Sequence, residues 1–233
     1  MLTFLRPSTR TLPRLTAVRF SSSSSSIPSR IYPSLYYHPS PTVPTGTFSL
    51  SYLPTPPPSL SFSPTTIGLV RPLPSSGPSP ALYGDERQEH KEEDERVPPI
   101  TPRNFQENKR WMEMVHGVLR ENVAQDAWMK TAAKAMEGSD TFIHIPDHRS
   151  PADANRQPNP QDIVASVLAR DGEIVPESYE ANTTSYRLVT SDGLQRLPEG
   201  LHEKLVEACY RVREVEEEVA AEREKEGEGE RGE

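Results

Sequence analysis

The first 84 residues contain six Arg and no Lys, Asp or Glu, while residues 85–233 hold the other 20 basic residues and all 34 acids. Charge therefore divides into +6 and −14 about Asp85. Proline divides the same way, with sixteen of 25 in the first 84 residues. This division constrains folding more than any single motif in the chain. A basic, serine-rich, proline-broken start has the composition of a targeting segment and a spacer; an acidic, periodic remainder has that of one modest domain. An acidic body also lacks the Lys and Arg that neutralise phosphates in sequence-independent nucleic-acid binding, and anionic membrane surfaces repel it. No nucleic-acid partner is expected. No stretch approaches the ~20 apolar residues of a membrane span, so no transmembrane segment is expected either.

Residues 1–20 mix Leu2, Phe4, Leu5, Leu12, Leu15, Val18 and Phe20 with Arg6, Arg10, Arg14 and Arg19. Cationic, hydroxylated and free of acids, the segment reads as a mitochondrial targeting presequence. Arg19-Phe20-Ser21 resembles a matrix-protease site, with Arg30-Ile31-Tyr32 a second candidate. The expected location is the mitochondrial matrix, with a plastid as the alternative. A secretory signal is excluded because Arg10, Pro13 and Arg14 interrupt every apolar run that could serve as its core.

Residues 21–100 are expected to form a disordered linker, Ser/Pro-rich at first and then a mixed-charge run, because such composition buries too little surface to offset ordering entropy. Pro98, Pro99 and Pro102 mark its end. From Asn104 the apolar residues take up helical spacing. Phe105, Trp111, Met112, Val115, Val118 and Leu119 predict one helix over 104–120, opened by an Asn104/Glu107 capping box. Ala124, Trp128, Ala132, Ala135 and Met136 predict the inward face of a second over 124–137, with Gly138 as its stop. Both tryptophans are expected in the core.

Strands are predicted at Thr141–Ile145, Asp162–Ala169, Glu173–Val175 and Tyr186–Thr190. Asp171-Gly172 and Asp192-Gly193 supply hairpin signals, which favour an antiparallel meander. A last helix is predicted from Pro198 to Ala221. Its apolar positions Leu201, Leu205, Ala208, Val212, Val215 and Val219 keep a heptad spacing of coiled-coil type. The fold expected is thus α+β: a small antiparallel sheet flanked by two N-terminal helices and one long C-terminal helix, after a long disordered region. Residues 101–222 form the single domain, and 223–233 a disordered acidic tail.

The chemistry is sparse. One cysteine, Cys209, precludes an intramolecular disulfide and is expected to be a small buried helix residue. His144, Asp147 and His148 cluster at a strand end, where imidazole and carboxylate suit zinc or iron. Asp162, Glu173, Glu177 and Glu180 are the candidate acid–base carboxylates, and Arg149, Arg156 and Arg187 a candidate anion site. No nucleophile elbow, phosphate loop or dinucleotide fingerprint is present, and no cofactor is expected. From the heptad seam, with Val212, Val215 and Val219 as contact residues, the function expected is that of an imported mitochondrial accessory, assembly or adaptor protein acting through protein–protein contacts. The alternative is a small metal-binding protein or enzyme using His144, Asp147 and His148.

Overall fold

The computed structural model describes residues 26–40, 46–58, 63–73, 96–149 and 159–229. The presequence expected over 1–20, Arg156 and the last residues of the expected tail lie outside them. The protein has a mixed α/β fold with antiparallel sheets and, among the described residues, three α-helices.

Strands β1 (Ile27–Pro28), β2 (Tyr36–Pro39), β3 (Phe48–Ser51), β4 (Gly68–Val70) and β5 (Phe105–Glu107) form an antiparallel five-stranded sheet in chain order. Side chains alternate between faces along each strand, and the pairings Tyr37↔Leu50 and Phe48↔Val70 gather Tyr37, Phe48, Leu50 and Val70 on one buried face. His38↔Ser49 lies on the other, also buried. Gly68 is required where β4 meets β5: a Cβ there would collide with the Phe105 ring and the Gln106 carbonyl.

For the described residues between 26 and 73, this sheet corrects the expectation of a linker over 21–100. Leu35, Tyr37, Leu50, Leu53, Ile67 and Val70 are all within 1 % of complete burial. The physical reason is spacing. Three short apolar and aromatic clusters, around residues 31–37, 48–53 and 67–70, are separated by Pro and Ser. Short strands need only a few apolar residues each, and Pro and Ser suit the turns between them.

Helix α1 runs from Lys109 to Asn122, and its N-cap is Asn108, not Asn104. The Asn108 side chain accepts from Arg110 N and donates to Ser63 O and Thr66 O at 2.8 and 2.7 Å, tying the helix start to the loop before β4. Pairing with β4 draws Phe105–Glu107 into a strand, overriding the helical spacing. Trp111, Val115, Val118 and Leu119 form the buried stripe. Helix α2 (Ala127–Lys134) restarts the phase at its Asp126 cap, so Met129 and Ala133 face inward. Trp128 is 42 % exposed, against the expectation that it anchors the core.

Strands β6 (Thr141–Pro146), β7 (Ile163–Arg170) and β8 (Glu173–Ala181) form a three-stranded meander. Asp171 and Gly172, both at positive φ, close the β7–β8 hairpin. β8 continues through Pro176 instead of ending there. It is an edge strand, where a missing N–H is tolerated, and the Ser178 hydroxyl accepts from Leu168 N at the register shift. Only Val189–Thr190 (β9) of the fourth expected strand is extended, paired with Gly193–Leu194 (β10).

The last helix, α3, spans Glu199–Gly229. Leu201, Leu205, Ala208 and Cys209 are buried, and burial pushes the Cys209 thiol up to about 12. The helix runs past residue 222, where a disordered tail was expected, because Glu, Arg and Lys at 222–226 favour helix intrinsically. No described helix is long and apolar enough to cross a membrane.

Candidate functional site

Three places concentrate unusual side chains, the first being the end of β6. Alternation along the strand turns His144 outward, where its Nδ1 lies 2.9 Å from Ser166 Oγ. Asp147 turns inward and is fully engaged. One carboxylate oxygen accepts from Arg149 N (3.1 Å) and Arg196 N (2.9 Å); the other accepts from Tyr186 Oη (2.9 Å) and lies 3.3 Å from Arg149 Nη2. Burial raises the Asp147 carboxyl, opposed by Arg149 and these donors. Burial, and then Asp147, push the Tyr186 phenol well above its ordinary range. His148 points away from both, its ring 5.9 Å from Trp128 in an edge-on contact.

His144, Asp147 and His148 are therefore not brought together, and among the described residues no group of three His, Cys, Asp or Glu is placed to hold a metal ion. Arg149 is a buried clamp. It sits 3.5 Å from Asp162 and donates to the carbonyls of Leu188, Gly193 and Gln161. Such an arrangement satisfies a buried charge and fixes loop geometry. Arg187 bonds the carbonyls of Thr184 and Tyr186 within its own loop, so it shares no anion site with Arg149. Of the four candidate carboxylates, Asp162 is buried against Arg149, while Glu173, Glu177 and Glu180 are exposed along β8.

The second place is a cleft of 610 Å³ between the first turns of α2 and α3. Trp128 and His148 line it, with Asp126, Glu199, Glu203 and Lys204. Asp126 Oδ1 caps α2 by accepting from Met129 N at 2.9 Å. Its Oδ2 faces Gly200, where a Cβ would stand only 2.7 Å away. The Lys204 ammonium is turned to Glu207 at 2.8 Å. Sequence reasoning missed this cleft because it assigned Trp128 to the core; the Asp126 cap, three residues before Met129, was the signal for the true helix phase.

The third place is the outer part of α3. Val212 is half-buried, whereas Val215 and Val219 are 58 % and 40 % exposed. These positions continue the line of Leu201, Leu205 and Ala208 beyond the body. Arg213 is buried although Glu214, Glu216, Glu217 and Glu218 follow it closely in sequence. It donates to Pro56 O at 2.6 Å and Thr65 Oγ1 at 3.0 Å, while Ser63 Oγ donates to Glu216 Oε2 at 3.0 Å. The helix is thus pinned at Arg213 and Glu216, which stand on either side of Val215 in sequence. No protein-family model, curated protein or solved structure matches this chain.

Proposed function

We propose that this chain is a mitochondrial accessory, assembly or adaptor protein that works through protein–protein contacts, and that the outer stripe of α3 carries the contact. One observation supports the reading above the others: Val215 and Val219 extend a buried heptad line into solvent on a helix held firmly at its base. A large apolar side chain left uncovered in line with a core seam is the pattern of a half-made helix–helix interface. The acid-free, Arg-bearing start of the chain supports import.

The test is site-specific photo-crosslinking in isolated mitochondria. A crosslinker at Val215 or Val219 should yield one defined adduct, and the same group at Glu214 or Glu218, on the charged side, should yield none. Equal labelling from all four positions, or an adduct from the charged side alone, refutes the assignment of the stripe. Recovery of the chain outside mitochondria refutes the location.

A further inference from the structure

We propose that the cleft between α2 and α3 binds an organic cation, a guanidinium or alkylammonium group, against the face of Trp128. The site lies at the first turn of α3, before the Val212–Val219 stripe at mid-helix, and stands without it. Five observations converge. The cleft, at 610 Å³, is roomy enough for a side chain or small amine. Trp128, one of only two tryptophans in the chain, is left 42 % exposed in its wall, whereas Trp111 is completely buried. The His148 ring makes a T-shaped contact with it, the ring centroids 5.9 Å apart at an interplanar angle of 72°. Three carboxylates, Asp126, Glu199 and Glu203, share the lining with one ammonium, and Lys204 is already paired with Glu207.

The fifth observation is Asp126 itself. The residue is 8 % exposed, yet among the described residues only its Oδ1 accepts a hydrogen bond. Oδ2 is left over on the cleft side, beside a Gly200 that carries no side chain to cover it. A carboxylate oxygen open to the cleft can accept there, and a cationic N–H supplies a donor with charge assistance. Helix N-termini ordinarily favour anions, but here α2 is capped by Asp126 and α3 carries Glu199 in its first turn. An incoming anion would meet three carboxylates. A cation meets those charges together with an aromatic face, the combination that recognises guanidinium and ammonium groups.

The experiment uses the full chain and follows the Trp128 indole N–H by NMR, assigned from a Trp128→Phe variant, during titration with four probes. These are arginine amide, a Gly-Arg-Gly peptide, its neutral isostere Gly-citrulline-Gly, and inorganic phosphate. Arginine amide or the arginine peptide should move the Trp128 signal saturably and leave Trp111 unmoved, while citrulline and phosphate do nothing. The double variant Glu199→Gln/Glu203→Gln, checked for fold by circular dichroism, should bind about tenfold more weakly. Equal response to both arginine probes identifies a free small cation as the ligand; much tighter binding of the peptide identifies an arginine or lysine of a partner protein. A matching response to citrulline, a response to phosphate, unchanged affinity in the double variant, or no saturation with either arginine probe at millimolar concentration overturns the proposal.

Discussion

His38 is 1 % exposed on the polar face of the five-stranded sheet, opposite Ser49, with Nδ1 sharing a hydrogen bond with Ser26 Oγ at 2.8 Å. Burial, helped by the charge of Arg213 and opposed by the Leu53 backbone, lowers its pKa from the ordinary 6.5 to about 4. Between those values the unfolded chain takes up a proton that the folded chain refuses, so stability is complete above 6.5 and falls as pH drops towards 4. His116 and His202 are lowered in the same direction by burial, and Asp147, raised, acts against them. Comparison with a His38→Gln variant isolates this one residue. Its urea midpoint should fall less than that of the natural chain between pH 7 and 4.5, by an amount equivalent to about 2 kcal/mol; parallel curves would show that His38 titrates normally. Asp147 makes a second residue-scale case. Asp147→Ala leaves Arg149 buried with Asp162 alone and strands two backbone N–H groups and a phenol. Equilibrium unfolding should show a loss of roughly 3–5 kcal/mol. The sequence carried the residue types of this cluster but not its meaning, since whether a carboxylate near two histidines faces a metal or an arginine depends on strand alternation and on loops some 40 residues away.

At the scale of elements, periodicity was readable wherever a long stretch kept one phase. The stripe of α1, the inner part of α3 and the two-residue turn at Asp171-Gly172 follow directly from spacing and turn chemistry. The failures have physical causes. Helix α2 is only eight residues long, so a one-position error in its start turns Trp128 from solvent to core. At α3, the dense charge from Arg211 onward argues against enclosure, but a guanidinium can be enclosed where carbonyls and hydroxyls receive it. The receiving groups, Pro56 O and Thr65 Oγ1, belong to a segment read as linker, so one error produced the other. This separates two roles on a single helix. Arg213→Ala should lower stability by roughly 1–3 kcal/mol, measured by chemical denaturation, because it strips donors from buried acceptors. The triple change Val212→Ser, Val215→Ser, Val219→Ser should stay within about 0.5 kcal/mol per site, since serine and valine differ little in helix propensity and two of the three valines are exposed. A large destabilisation in the triple variant would make the stripe part of the core and end its candidacy as a contact surface.

For the molecule as a whole, the compositional break at Asp85 marks a change of chemistry rather than the edge of the fold. The basic, proline-rich part supplies four of the five strands of the larger sheet, and Tyr32 Oη accepts from Leu194 N at 3.0 Å, joining that part to the β9–β10 hairpin. Proline and serine dilute the hydrophobic average of residues 26–73 below what a window of that length would flag, although each strand is locally apolar on one face. This changes where an import protease can act without damage. Removal of residues 1–20 leaves Ser26 and β1 in place, whereas a cut at the alternative site beside Arg30 would remove β1 and the Ser26 partner of His38. Under the proposed import, the mature protein should therefore begin near Ser21, as N-terminal sequencing of the chain recovered from mitochondria would reveal. The same reasoning separates fragments made directly. One beginning at Ser21 keeps every described strand and should unfold cooperatively. One beginning at Thr101 lacks Leu35, Tyr37, Leu50, Leu53, Ile67 and Val70, each worth roughly 1.5–3 kcal/mol when buried. Their sum matches the roughly 5–15 kcal/mol net stability of a typical domain, and Trp111 would lose the Tyr52 ring it packs against. The shorter fragment should show collapsed amide dispersion and rapid proteolysis. A cooperatively folded, protease-resistant fragment from Thr101 would mean that the five-stranded sheet contributes little to stability, and that residues 26–73 are a cover over an independent domain.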